Sequence, residues 1–238
     1  MATLMVAMSF SRKPANDGNL TVIFDHYVGD SLLRLDDKLY KNEIGQSFSV
    51  TKFKYYVGNI CLKKAGGGKV SFQKYYLINE EEVETKKIDL DVQKGVYTGI
   101  DFIIGVDSID NCSGAQSGAL DPVNAMFWAW NTGYIFLKME GKASASTSPG
   151  HIYEYHIGGY RQPYNCVRHV SLTFNKPLEM ATTSNKAMHI KADAGKILGG
   201  DNNIDFSKLS SVTDFHNSTV IADNYAEMFS ILAISNGK

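Results

Sequence analysis

Phe48-Ser49-Val50-Thr51-Lys52-Phe53-Lys54-Tyr55-Tyr56-Val57 interleaves aromatic and branched apolar side chains with Ser, Thr and Lys. Successive side chains of an extended chain point to opposite faces, so this pattern reads as a strand with one buried face. It is one strand, or two with a bend, and Ile60-Cys61-Leu62 prolongs it. Ala65-Gly66-Gly67-Gly68-Lys69 then reads as a turn, since glycine admits the backbone angles a reversal needs. Further strand patterns lie at 20–26 (LTVIFDH), 75–78 (YYLI), 99–106 (GIDFIIGV), 133–139 (GYIFLKM), 151–157 (HIYEYHI) and 167–174 (VRHVSLTF). About eight short strands with no helical pattern alternating between them predict an all-β fold. The expected architecture is an antiparallel β-sandwich of the immunoglobulin-like kind, with a few short helices.

Those helices are expected in three places. Asp121-Pro122 offers a capping carboxylate and a proline at the first helical position, enough for one or two turns towards Trp128. Residues 205–209 follow an Asp cap, and 220–229 form the third segment. No repeat or low-complexity linker divides the chain, so residues 19–238 read as one domain. Residues 2–10 (ATLMVAMSF) are apolar and run into Ser11-Arg12-Lys13 and a polar stretch, which resembles the end of a secretory signal. Residues 1–18 are therefore read as the remnant of a signal region and its lead-in, in preference to an ordinary N-terminal strand.

Composition excludes several classes. With 24 Lys+Arg against 25 Asp+Glu, the net charge of −1 gives no reason to expect nucleic acid or an anionic membrane surface as partner. An apolar share of 44% with 21% charged residues argues against disorder. No segment approaches the ~18 apolar residues of a spanning helix. Thirteen Tyr, 12 Phe and 21 Gly against 5 Pro favour strands and turns. Cys61, Cys112 and Cys166 are too few for a disulfide scaffold, leaving isolated buried thiols or one bridge between distant segments.

The chain carries no GxSxG, HExxH, Walker loop or CxxC. Cys166 and His169, three apart on a strand, would face opposite ways, which removes them as nucleophile and base. Asp201-Asn202-Asn203-Ile204-Asp205 spaces oxygens like a calcium loop, but Phe206 stands where a sharp turn needs Gly. Among six scattered histidines, His156 sits just ahead of Gly158-Gly159, where a strand ending allows close backbone approach and an imidazole at the rim could ligate a metal. Both tryptophans fall in Met126-Phe127-Trp128-Ala129-Trp130-Asn131-Thr132-Gly133-Tyr134. If extended, this segment puts Trp128 and Trp130 on one face, and an aromatic plug in the core is the plain reading of it.

The block from Asn111-Cys112-Ser113-Gly114 through Asp121-Pro122 to Trp128-Ala129-Trp130-Asn131-Thr132-Gly133-Tyr134 closely resembles the MbnP-like family of extracytoplasmic proteins, in its Bacteroidetes form. Phe24-Asp25-His26, Phe53 to Ile60, Tyr75 to Asn79, Gly105-Val106-Asp107 and Tyr155-His156-Ile157-Gly158-Gly159 support it over residues 20–175. The resemblance implies copper. Relatives are partners of a di-haem, cytochrome c peroxidase-like oxidase of the MbnH type, which opens a tryptophan to kynurenine that then helps to bind the metal. Carried over, Trp130 or Trp128 is the modified residue, with Trp130 preferred, and His156 and His26 are the metal ligands. The chain departs from some relatives in Gly58, where they have His, and in Gly159-Tyr160 after the histidine motif, where theirs runs on to Cys. The implied function is a non-catalytic, periplasmic or cell-surface copper-handling protein with Trp128, Trp130 and His156 in one pocket. The alternative is an envelope β-sandwich that binds a protein or glycan and has no metal site.

Overall fold

A computed structural model describes residues 17–128 and 133–237. The expected signal remnant, apart from its last two residues, and Trp130 lie outside the described residues. The strands are β1 (Asp17–Val28), β2 (Ser31–Leu32), β3 (Tyr40–Lys41), β4 (Ser47–Lys64), β5 (Lys69–Asn79), β6 (Lys87–Gln93) and β7 (Gly95–Ile104). After helix α1 (Ser108–Cys112) come β8 (Phe127–Trp128), β9 (Gly133–Ala143), β10 (Ile152–Gly158), β11 (Arg168–Met180), β12 (Asn185–Asp193) and β13 (Ser211–Val212). Helix α2 (Phe215–Ala226) and β14 (Phe229–Asn236) complete the order.

Two sheets face each other. The smaller runs β14-β12-β1-β2, with β6 also on β1; the larger runs β11-β7-β4-β9-β10-β13, with β3 and β5 on β4 and β8 on β9. The all-β expectation holds, as does the sandwich-like layering. The antiparallel part needs correction, because β1 pairs with β12 in parallel, as β10 does with β13. A parallel pair needs a long crossover, and here every strand of the larger sheet except β13 intervenes between β1 and β12.

Alternation in the sequence becomes burial. Every second residue of β1 from Gly18 to Val28 is buried, including Leu20, Val22 and Phe24. Phe24 reaches across the interface, its ring edge-on to Tyr55 at 6.2 Å and to Phe102 at 5.9 Å. Each such buried aromatic contributes roughly 1.5–3 kcal/mol of transfer free energy. β4 is the spine of the larger sheet. It keeps β5 along one edge and passes its other edge from β9, paired up to Tyr55, to β7, paired from Val57. The handover coincides with a bulge at Gly58, where the backbone of Asn59 takes a φ of 51°.

Asp121 caps a single 3-10 turn, Pro122–Asn124, by accepting from the Val123 amide, as expected. Residues 205–209 form turns instead of a helix, with the Asp205 carboxylate taking the Ser207 amide. α2 starts at Phe215 behind Asp214, earlier than its apolar run suggested, because the cap sets the first turn. The connection expected over 140–150 is shorter, since β9 runs to Ala143. The three cysteines are all free thiols.

Candidate functional site

Three of the expected site residues can be placed, and they occupy three different surroundings. His26 sits inside the sandwich, 2% exposed, with its ring 4.8 Å from that of Phe53. Its Nδ1 lies 2.7 Å from Glu80 Oε2 and its Nε2 3.0 Å from the Tyr55 hydroxyl. A carboxylate can only accept, so Nδ1 carries the proton and Nε2 accepts from Tyr55. Burial drives the His26 pKa down, outweighing the attraction of Glu80. Burial also opposes the Glu80 charge, but hydrogen bonds from His26 and from Lys86 Nζ at 2.7 Å prevail and hold its carboxyl below the usual range. Both nitrogens of His26 are thus committed to the fold. The imidazole ties the two sheets together through Tyr55 on β4.

His156 lies on the other side of the larger sheet. Its neighbours Tyr155 and Ile157 are fully buried, so alternation turns His156 outward, opposite Lys138 in register. Its Nε2 donates to Glu140 Oε1 at 2.8 Å, and Nδ1 has no partner among the described residues. That hydrogen bond, with Lys52 at 3.5 Å, holds the Glu140 carboxyl at about 2, well below its ordinary value. His26 and His156 therefore face opposite sides of the larger sheet and cannot share a metal ion.

Trp128 is in a third place. Phe127 and Tyr134 pair across β8 and β9 with rings 5.0 Å apart, and Trp128, next along, alternates to the opposite side. There its ring meets Phe215 of α2 edge-on at 6.1 Å and presses on Gly158. A Cβ at Gly158 would stand 2.7 Å from the Trp128 ring, so glycine is what admits the indole. The pocket beside it has a volume of about 220 Å³, with Trp128, Tyr134, Tyr160, Tyr164 and Phe215 as aromatic walls and Arg161 as the one charged member. Cys112 stands at its rim, Sγ 3.5 Å from the Tyr160 hydroxyl. The expectation that His156 shares this pocket with Trp128 does not hold: its imidazole is held by Glu140 and does not line the pocket.

The loop over 107–125 is fixed by residues that sequence reasoning passed over. Asp107 caps α1, accepting from the amides of Ile109 and Asp110, and also takes the Tyr75 hydroxyl at 2.8 Å. Asn111, 3% exposed, receives the Tyr134 amide on its Oδ1 and donates to the Val106 carbonyl. Tyr75 also explains Gly58, because its ring would lie 2.5 Å from a Cβ there, and no ligand side chain can come from that position. Among the described residues no group of three His, Cys, Asp or Glu side chains could hold a metal ion. No helix among them is long and apolar enough to cross a membrane.

The class these features define is an all-β, two-sheet protein with an aromatic pocket at the end of its larger sheet. The family model for MbnP matches residues 17–217, and the chain belongs to the MbnP family. MbnP from Methylosinus trichosporium, a solved structure, shares the fold at a TM-score of 0.52 and 11% identity, over 94% of this chain and 100% of that one. Comparison with curated proteins finds no match.

Proposed function

We propose that this protein is a non-catalytic copper-handling protein that works outside the cytoplasm in a methanobactin-related system. The observation that carries the reading is the family match over 17–217, which includes the tryptophan block and the histidine motif. In this reading His156 supplies the imidazole. A ring nitrogen fixed by a carboxylate, with the other nitrogen exposed to a ligand, is the usual environment of a metal-bound histidine. Glu140 provides that carboxylate at 2.8 Å. His26 is assigned a structural role, since ligation there would break a hydrogen bond and place charge in the core. A single imidazole is a weak copper site, so a further donor is required, and Trp130, opened to kynurenine by an MbnH-type di-haem oxidase, is the residue proposed. Imidazole and an aromatic amine both suit copper.

Copper titration of the unmodified and the oxidase-treated protein, with His156→Ala and His26→Ala beside them, tests this. The reading expects tight binding only after treatment, lost in His156→Ala and kept in any folded His26→Ala. Equal, weak binding in all samples would overturn it. The aromatic pocket carries a second reading, an envelope module that takes up a planar or glycan group through Trp128, Tyr160 and Arg161. Glycan-array binding abolished by Trp128→Ala, in protein without copper, would favour it.

A further inference from the structure

The outer face of the larger sheet is covered along β4 and β9 by residues 113–125, and three outward-pointing side chains hold the cover down. Tyr56 Oη donates to the Ala119 carbonyl at 3.0 Å. Tyr134 Oη lies 2.9 Å from the Leu120 carbonyl and 3.0 Å from that of Gly114, able to donate to one at a time, and accepts from the Gln116 amide at 3.2 Å. Lys138 Nζ donates to the Ala125 carbonyl at 2.5 Å.

Lys138 is the unusual member. It is 8% exposed, and among the described residues no carboxylate comes within ion-pair distance of its ammonium. Lysine is almost never buried without a charged partner, because the ammonium loses its water. The carbonyl it holds belongs to Ala125, which ends the 3-10 turn in a left-handed conformation at φ 56°. A residue with a Cβ costs roughly 1–2 kcal/mol there. Directly after it come Met126, fully buried and accepting the Ile135 amide at 2.9 Å, and then β8 with Trp128.

We infer that Lys138 is the positioning residue of the tryptophan pocket: its ammonium clamps the Ala125 carbonyl, fixes the left-handed turn and so sets where β8 delivers Trp128. Its consequence for copper rests on the function proposed above; its consequence for Trp128 does not. Only Met126 separates the turn from Phe127 and Trp128, so freedom at Ala125 reaches the indole through a single residue.

Trp128 and Trp130 are the only tryptophans in the chain, so intrinsic fluorescence reports on this segment alone. In the full chain, Lys138→Met keeps the stem and removes the charge, Lys138→Gln is a second neutral variant, and Lys138→Arg keeps the charge. The expected result is a folded neutral variant by circular dichroism whose acrylamide quenching constant at least doubles and whose emission shifts to the red, with Lys138→Arg restoring most of both. Hydrogen exchange over 118–128 should rise by more than that of β6. Unchanged quenching in a folded neutral variant overturns the inference. So does the unfolding of both neutral variants, since a local clamp leaves the sandwich intact. Raised quenching with unchanged copper binding after oxidase treatment would support Lys138 as the clamp and overturn only its consequence for copper.

Discussion

Replacing Gly158 with alanine probes the contact that seats Trp128. A Cβ built there lies 2.6 Å from the Tyr134 carbonyl oxygen and 2.7 and 2.9 Å from two Trp128 ring carbons. The carbonyl belongs to the backbone of β9 and has little room to yield. The ring is 6% exposed and backed by Phe215, so it must shift against a packed neighbour. Overpacking of this kind costs ~1–3 kcal/mol. Gly158 has no positive φ, so the alanine also gains ~0.4–1 kcal/mol from a less flexible unfolded chain. At the middle of these ranges the net is a loss of ~1.3 kcal/mol, and at ~2–4 °C per kcal/mol for a chain of this size Tm falls by ~3–5 °C. Gly66→Ala is the control, since its Cβ would meet nothing within 4 Å and its φ is not positive; it should hold or raise Tm. Thermal unfolding followed by circular dichroism gives Tm, and the emission maximum reports the indole. A Gly158→Ala protein as stable as Gly66→Ala, with unchanged emission, would refute the packing of Trp128 on β10.

Stability should fall on acidification in two stages. The His26 pKa is depressed below its ordinary 6.5 by burial, so the unfolded chain takes up the proton first; its contribution is whole above that pH and declines below it. The Glu80 pKa is also depressed, below 4.5, so a second loss follows as pH falls further. Urea midpoints measured from about pH 8 to about pH 2.5 should show both, and His26→Gln should flatten the upper one; a flat parent profile between 6.5 and 5 would contradict the buried neutral imidazole. Thiol labelling should find one fast cysteine in the native protein, Cys112, and all three after unfolding. Cys166 is buried with its thiol pushed up to about 12, and should react only on unfolding; rapid native labelling of Cys166 would show that the core around Tyr225 opens.

The fold was legible wherever apolar residues alternate with polar ones. Residues 20–26, 48–57 and 133–139 announce β1, β4 and β9, and the glycines at 66–68 mark the hairpin between β4 and β5. β6 shows where attention to composition misleads: Lys87-Ile88-Asp89-Leu90-Asp91-Val92-Gln93 alternates without a fault, and Ile88, Leu90 and Val92 are all buried, yet its charges draw the eye away from strand. β12 and β14 were missed because their apolar sets are sparse and much of β14 is exposed. The parallel pairing of β1 with β12 has no local signal at all. It depends on two segments some 165 residues apart, Asn19 meeting Asn185.

The site was legible in part. The tryptophan block stood out as a cluster, and Trp128 does line a pocket. What sequence could not supply was the side of the sheet each candidate faces. One step in alternation separates His156 from the core, and the parity of β1 puts His26 inside it. Lys138 was hidden for a related reason, since a lysine among apolar residues reads as a solvated position until the cover over residues 113–125 is in place.

The most direct measurement is made on protein purified from the envelope of its native host, with the partner oxidase expressed and copper supplied. Copper is quantified, and tryptophan-containing peptides are mapped by mass spectrometry in the same sample. The account predicts about one copper per chain, Trp130 converted to kynurenine, and release of the metal in His156→Ala. A chain with no copper and with Trp128 and Trp130 both intact would contradict it, and would leave a family scaffold used to bind something else.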